Sequence, residues 1–475
     1  MSWSLAILDD GIANAVQASV GKTTALEHDY YRDRVDTDEG AGVTHGSRVF
    51  LAALETTRSL DVLDLKIGAP GDQGYSYDMI ETGLRGLLAL GTGRVGAVNM
   101  SFAGDFYPAQ FVDELDALVA RGVIPVAAAG NSGSHAGLER PGYPAVLPDV
   151  IAVGSHDGHG HPTSFSQNGP AIAVLADGED VPDAGSRGTS FAAPQVAATV
   201  ANVQAIVHGL TGHTLGVAAM IDALREGGAG PRSQPDPADG VTRYFLHDHN
   251  GSLDYAWSRY GGTPTTALEY IAGYGDLIAA LGADAAAGRR HFEHTGSIEE
   301  RAIRFDALHY LASYRDLALA FGENEAAGAT HYITAGVREG RTVHFDGLQY
   351  IASYDDLMAA FGGNRSAGNT HFIEYGFGEG RQVIFDGLQY IASYNDLIQT
   401  FGPNADAGAM HFIRNGAAEG RVRDDFDEVQ YLANYPDLQS AFGTDTQAAT
   451  IHFIEYGHAE GRTDAPLAAA TDFLL

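Results

Sequence analysis

The sequence contains no cysteine in its 475 residues. That excludes disulfides, thiolate metal sites and thiol catalysis. Lysine is almost missing too: of 28 basic residues only Lys22 and Lys66 are lysines, and nothing in the sequence accounts for the bias. No apolar run approaches the ~18 residues that mark a membrane-spanning helix, so no span is expected. The opening Met1-Ser-Trp-Ser-Leu-Ala-Ile-Leu-Asp9 lacks a basic n-region and a long apolar h-region, so no secretory signal peptide is expected. Basic charge as a whole is scarce, with 61 acidic residues giving a net charge of −33. Such a surface repels phosphate backbones and anionic lipid, which argues against nucleic-acid and membrane partners. What is abundant is apolar residue, at 45%, enough for packed cores. The length points to two or more domains.

Short apolar runs recur through residue 175. They are Leu5–Leu8, Val62–Ile67, Val95–Met100, Val123–Ala128, Val150–Val153 and Ala171–Leu175. Helix-period segments such as Arg48–Glu55, Tyr77–Leu90 and Ala109–Ala120 lie between several of them. Strands alternating with helices predict an α/β domain with a mostly parallel sheet and helices on both faces. In such sheets functional groups gather beyond the carboxyl ends of the strands. Gly188-Thr-Ser-Phe-Ala-Ala-Pro194 then reads as a tight turn that opens a helix apolar on most faces, through Val207. Pro194 is placed in that helix's first turn, where a missing N–H is harmless.

Four residues stand at predicted strand or helix ends: Asp9, His45, Asn131 and Ser190. Taken singly, each is a turn or capping residue. Together they are the parts needed for acyl transfer. A serine attacks, a histidine takes and returns its proton, and an aspartate fixes the imidazole tautomer. The amide and the serine's own N–H can hold the oxyanion.

The surrounding motifs make the combination specific. Asp9-Asp10-Gly11, His45-Gly46-Ser47-Arg48-Val49, Ala128-Ala129-Gly130-Asn131 and Gly188–Pro194 resemble the motifs of subtilisin-type serine peptidases, the subtilases. Val98–Gly104 and Ser164–Gly169 resemble two further segments of that family, and the likeness covers roughly residues 1–210. The resemblance implies a peptide substrate lying extended along Ser101, Phe102, Ala103 and Gly104, added as a strand. It places the primary specificity pocket between that strand and Ala127–Gly130, with Ala128 and Gly130 in its wall. The walls read as small and apolar, so an apolar or aromatic side chain before the scissile bond is expected. Ala103 stands where the family usually has glycine and narrows the pocket. The chemistry requires no cofactor; structural calcium is common in the family, but no ligands for it are identifiable here. Only eight residues precede Asp9, so no inhibitory prodomain is expected. Two clusters resemble metal sites, His156–His161 and the acidic Glu27–Glu39 with Asp29, Asp33, Asp36 and Asp38. Both read better as solvated loops, and no metal ligand is assigned.

Past Leu224 the composition changes to a Gly/Pro-rich linker, followed by a stretch that reads as a hairpin turning at Asn250-Gly251. From Thr266 the chain repeats at forty residues, with Tyr270, Tyr310, Tyr350, Tyr390 and Tyr431 at equivalent points and His291, His331, His371, His411 and His452 likewise. Five copies predict a stacked all-α array. Capping boxes at Thr266-x-x-Glu269, Asp346-x-x-Gln349 and Asp386-x-x-Gln389 start one helix; Ser353-x-x-Asp356 and its equivalents start a second. A third ends near Gly376, giving three short helices per repeat. The histidines are expected to hydrogen-bond within the fold rather than bind metal. The tail, ending Thr-Asp-Phe-Leu-Leu475, is similar to the uncleaved signals of type I bacterial export. The organisation expected is therefore a catalytic domain over 1–223, a linker with a hairpin over 224–263, five helical repeats over 264–463, and a tail over 464–475. The expected function is an exported serine endopeptidase acting on polypeptides, whose repeats serve binding, spacing or export through a surface or protein partner. The competing readings are an inert subtilase-like binding protein and a cytoplasmic processing peptidase.

Overall fold

Short apolar runs closed by turn residues become buried parallel strands, as the sequence patterning implies. The computed structural model describes residues 2–30, 43–69, 75–90, 94–105, 109–133, 140–183, 185–234 and 242–467. The chain divides into two compact units, Met1–Arg304 and Phe305–Leu475.

The first unit is built on a seven-stranded sheet. In chain order its elements begin β1 (Trp3–Asp9), α1 (Asn14–Val20), β2 (Leu26–Asp29), α2 (His45–Thr56), β3 (Asp61–Lys66), α3 (Tyr77–Ala89), β4 (Arg94–Met100), α4 (Ala109–Val119) and β5 (Ile124–Ala128). They continue with β6 (Ile151–His156), β7 (Ile172–Asp177), α5 (Thr189–Thr211) and α6 (Val217–Glu226). The strand order is β2-β3-β1-β4-β5-β6-β7, with every neighbouring pair parallel. All the strands predicted between Leu5 and Leu175 form. The additional one, β2, is a four-residue edge strand whose Leu-Glu-His-Asp carries too little apolar signal to be read from sequence. Helix α5 is buried along most of its length and packs on β4, β5 and β6. Gly96 allows this approach, because a Cβ there would lie 2.6 Å from Ala201 Cα.

Pro194 is the sixth residue of α5, not part of its first turn. A proline there cannot donate to the carbonyl four residues back, that of Ser190. The side chain of Ser101 supplies the missing donor, with Oγ 2.7 Å from Ser190 O.

The segment after α6 is more ordered than its composition suggests. β8 (Pro231–Gln234) pairs antiparallel with β9 (Thr242–Phe245), so the hairpin precedes the expected turn. Asn250-Gly251 lies instead in the first turn of α7 (His249–Arg259), capped by Asp248, whose side chain accepts from Gly251 N. An Asp followed by Asn-Gly serves a helix start as well as a hairpin, and the local sequence does not distinguish them. His247 N donates to Leu175 O at 2.8 Å, so the chain returns to the β7 edge.

The first repeat belongs to this unit. Trp3 N donates to Ile298 O at 3.0 Å, Arg94 is ion-paired with Glu300, and buried Phe292 packs edge-on against Trp257 with centroids 5.5 Å apart. The boundary between compact units thus falls after Arg304, one repeat beyond the change in composition.

The second unit contains the remaining repeats. In one of them the helices are Gly347–Ala352, Asp355–Phe361 and Arg365–His371, and the third runs on into a π-helical turn, Phe372–Gly376. Asp346 caps the first helix, accepting from Leu348 N and Gln349 N. Ser353 does not cap the second. Tyr354 is its N-cap, and Ser353 Oγ donates to Gln349 O while accepting from Ile384 N and Phe385 N of the next repeat. In the first unit, Thr263 rather than Thr266 caps the helix Pro264–Ala272. The repeated histidines pair inside the fold: Tyr350 Oη and His371 Nδ1 are 3.0 Å apart, with the same pairing in the other four copies. Among the described residues no helix is long and apolar enough to cross a membrane.

Candidate active site

β1 is the point at which the sheet changes its order of growth, with β3 on one side and β4 on the other. Open α/β sheets form a crevice beyond the strand ends at such a point. Asp9, the last residue of β1, is fully buried there. Its Oδ1 lies 2.9 Å from His45 Nδ1 and accepts from Tyr75 Oη at 2.8 Å and Asp10 N at 2.9 Å.

His45 is the first residue of α2, capped by Thr44, whose Oγ1 accepts from Ser47 N. Asp10 adds a second cap: its carboxylate accepts from Gly46 N at 2.6 Å and His45 N at 3.3 Å, placing negative charge at the positive end of the helix. Gly46 lets the two segments meet, since a Cβ there would lie 2.6 Å from Gly11 O. Consecutive aspartates therefore do different work, one orienting the imidazole and one fixing the helix that carries it. The Asp9 charge raises the His45 pKa to about 8, against the opposing effect of burial.

Ser190 and Asn131 converge on one point. A Cβ built on Gly188 would lie 2.9 Å from Ser190 Oγ and 3.3 Å from Asn131 Nδ2. Asn131 is oriented by Thr189, whose N and Oγ1 both donate to Asn131 Oδ1, at 2.9 and 3.0 Å. Two donors on the amide oxygen fix which end is nitrogen and turn Nδ2 toward the serine. Thr189 Oγ1 also accepts from Gly130 N at 3.1 Å. The Phe191 ring stands 5.6 Å from the imidazole of His45. Among the described residues no hydrogen bond joins His45 to Ser190.

The remaining residues expected at the site lie around this point. Ser101 is buried, and its hydroxyl supports the Ser190 turn while accepting from Asn99 Nδ2 at 2.9 Å. Phe102 and Ala103 follow it, and Gly104 uses both backbone groups on Tyr143, each at 2.8 Å. Ala128 ends β5, and Gly130 follows with φ +108°, its carbonyl accepting from Gln167 N at 2.9 Å. Tyr75 and Thr189 carry parts of the geometry that sequence reading missed. Tyr75 lies 66 residues from Asp9 with no local signal; Thr189 was visible only as a motif position.

The histidine-rich loop is held by its own contacts, with Asp157 Oδ1 accepting from His159 N and His161 N. Of the acidic cluster, Asp33, Asp36 and Asp38 lie outside the described residues. Asp29 is buried, 3.9 Å from Lys66. Among the described residues no group of three His, Asp or Glu side chains is arranged to hold a metal ion.

The chain is similar to known proteins over its first half. A family model described as the subtilase family matches residues 2–238. Subtilisin DY of Bacillus licheniformis is 31% identical over 210 residues, 41% of this chain and 74% of that protein. Subtilisin BL of Lederbergia lenta is 27% identical over 42% of this chain and 75% of its own length. Subtilisin E of Bacillus subtilis is 29% identical over 34% of this chain, but only 45% of its length is spanned. Two solved structures, a lanthipeptide protease and a cold-adapted subtilisin-like serine proteinase, align with TM-scores of 0.44 and 0.41. Their identities are 16% and 20%; the alignments cover 53% and 52% of this chain and 86% and 89% of theirs. By the extent of its match to the subtilisins, the chain belongs to the subtilase family of serine peptidases.

Proposed function

We propose that the protein is a serine endopeptidase in which Ser190 is the nucleophile, His45 the general base and acid, Asp9 the group that orients His45, and Asn131 an oxyanion donor. The observation that carries this reading is the convergence of Ser190 Oγ and Asn131 Nδ2 beside Gly188, with His45 fixed by a buried carboxylate. Ser190 Oγ attacks the peptide carbonyl carbon and its proton passes to the imidazole. The carbonyl oxygen takes the negative charge, held by Asn131 Nδ2 and the backbone N–H of Ser190 itself. The C–N bond then breaks as His45 protonates the leaving amine. Water, deprotonated by the same imidazole, releases the acyl group and regenerates the serine.

The substrate is a polypeptide, extended along Ser101–Gly104. The chemistry calls on no cofactor, and structural calcium is assigned no ligands. The repeats serve binding, spacing or export, and export is directed by the C-terminal tail, whose last residues lie outside those described.

One observation favours the rival reading of an inert binding protein, namely the lack of a bond between His45 and Ser190. Catalytic hydrogen bonds in unliganded sites are often long and tighten with substrate, which is compatible with the triad. A fluorophosphonate probe distinguishes the two readings. The folded full-length chain is expected to be labelled at Ser190 and Ser190→Ala to lose both label and peptide hydrolysis; a folded chain that takes no label establishes the rival.

A further inference from the structure

Gln167 lies in the Ser164–Gly169 segment, to which no part of the chemistry is assigned, yet its side chain reaches the cleft beside Gly130. A Cβ on Gly130 would collide with Gln167 Oε1; it would also lie 2.9 Å from Gln167 Cδ and 3.4 Å from Ala103 Cβ. The carboxamide oxygen therefore lies against Gly130 on the side where Ala103 Cβ also approaches, at the gap between the Ser101–Gly104 and Ala128–Gly130 segments. A third wall is close by, since a Cβ on Gly142 would lie 3.1 Å from both Ala103 Cβ and Gly104 O.

The amide is not free to rotate without loss. Gln167 Nε2 donates to Arg140 O at 2.6 Å, and the Gln167 backbone N donates to Gly130 O at 2.9 Å. With its nitrogen engaged, the side chain turns an acceptor oxygen into the gap. The Ala103 methyl takes up part of the remaining space.

We propose that Gln167 is the specificity-determining residue of the pocket for the side chain before the scissile bond, selecting short side chains that carry a hydrogen-bond donor, such as Asn or Ser, over aromatic ones. The inference rests on the peptidase reading given above, and it replaces the apolar or aromatic preference expected from sequence. The expectation failed to include Gln167 because the pocket-lining segments are themselves small and apolar. The polar group enters from a segment 37 positions past Gly130 in the numbering. A Phe side chain entering this gap must displace the carboxamide and break its bond to Arg140 O. A short donor instead bonds to Oε1 and leaves that contact intact. Sites built to hydrogen-bond a substrate group discriminate more sharply than apolar slots do.

The test compares kcat/KM of the full-length chain on peptides that differ only at the residue before the scissile bond. Wild type is expected to cleave after Asn or Ser about tenfold or more faster than after Phe. Gln167→Ala is expected to raise the Phe value about tenfold and lower the Asn value. Gln167→Met, which keeps the length but not the acceptor, is expected to lower the Asn value while Phe stays excluded. A wild type that prefers Phe, or ratios unmoved within twofold in both variants, overturns the assignment. Fluorophosphonate labelling of Ser190 in the same preparations separates the two levels. A labelled wild type with unmoved ratios sinks the role of Gln167 alone, whereas a folded but unlabelled wild type overturns the peptidase reading and the inference with it.

Discussion

At the scale of the residue, the buried Asp9 carboxylate holds the His45 pKa up to about 8, and this sets the working range of the proposed chemistry. The imidazole must be neutral to accept the Ser190 proton. It is charged below its pKa, so turnover is expected to climb as pH rises through about 8 and to level off above it. Asp9→Asn removes the charge that contributes most to the shift, so the midpoint of its residual kcat/KM profile is expected to fall below 8. Its kcat is expected to drop about 10⁴-fold, the loss known for this change in a Ser-His-Asp triad. A pH–rate profile of both proteins checks this, and a rising limb that stays in place removes His45 from the role of base. The same scale explains why the repeats use arginine rather than lysine at one recurring position. In the repeats, Arg341 bonds Asp316 through both terminal nitrogens at 3.0 and 2.8 Å, bonds Glu339 through Nε at 2.6 Å, and lies 4.8 Å over the Tyr314 ring. Arg381, Arg421 and Arg462 stack in the same way on Tyr354, Tyr394 and Tyr435. A planar fork with a stacking face meets all three demands, and an ammonium does not.

Among the elements, the repeat is held by polar joints as well as by its buried tyrosines. Ser353 ties consecutive copies, because its single hydroxyl receives Ile384 N and Phe385 N and closes the last turn of its own helix. Ser353→Ala leaves two backbone donors without that acceptor, and the cost is expected to be about 1–3 kcal/mol. Urea denaturation of the second unit's transition checks it; a shift smaller than about 0.5 kcal/mol means that water replaces the hydroxyl freely. Sequence reading gave this serine a capping role because Ser-x-x-Asp is the usual signature of a helix start. The hydroxyl goes to the neighbouring repeat instead, and no local pattern encodes a partner that far along the chain. The Gly188–Pro194 turn shows the same limit. Its motif was plain, but the carbonyl freed by Pro194 and its Ser101 partner appear only when β4 is laid beside α5.

For the whole molecule, the compact unit that contains the site ends at Arg304 and includes the first repeat. Phe292 of that repeat is fully buried and lies against Gly209 of α5, where a Cβ would come within 2.8 Å of its ring. Burying one such side chain is worth roughly 1.5–3 kcal/mol. A chain ended after Arg304 is accordingly expected to fold and to label with fluorophosphonate as the full chain does. A chain ended after Gly262 is expected to lose several kcal/mol or to aggregate. Thermal melts and labelling of the two truncations check this, and equal stability makes the first repeat a mere appendage. The net charge of −33 acts at this scale as well, favouring solubility and disfavouring polyanionic partners whatever the fold.

The sequence by itself determined the α/β class, the repeat period and the identity of the four residues proposed for the chemistry. Each is written in local signals: apolar runs of strand length, tyrosines and histidines at a fixed spacing, and short motifs around turns. Tertiary structure alone decided that Tyr75 reaches Asp9, that Thr189 turns the Asn131 amide toward Ser190, and that Gln167 enters the cleft beside Gly130. These contacts join residues tens of positions apart, and their partners are chosen by strand order and helix placement. The domain boundary belongs with them. Glycine and proline beyond Leu224 signal a break in regular structure, but whether the chain leaves the domain there depends on what it packs against next. Here it returns to the β7 edge through His247 and to the body of the unit through Phe292.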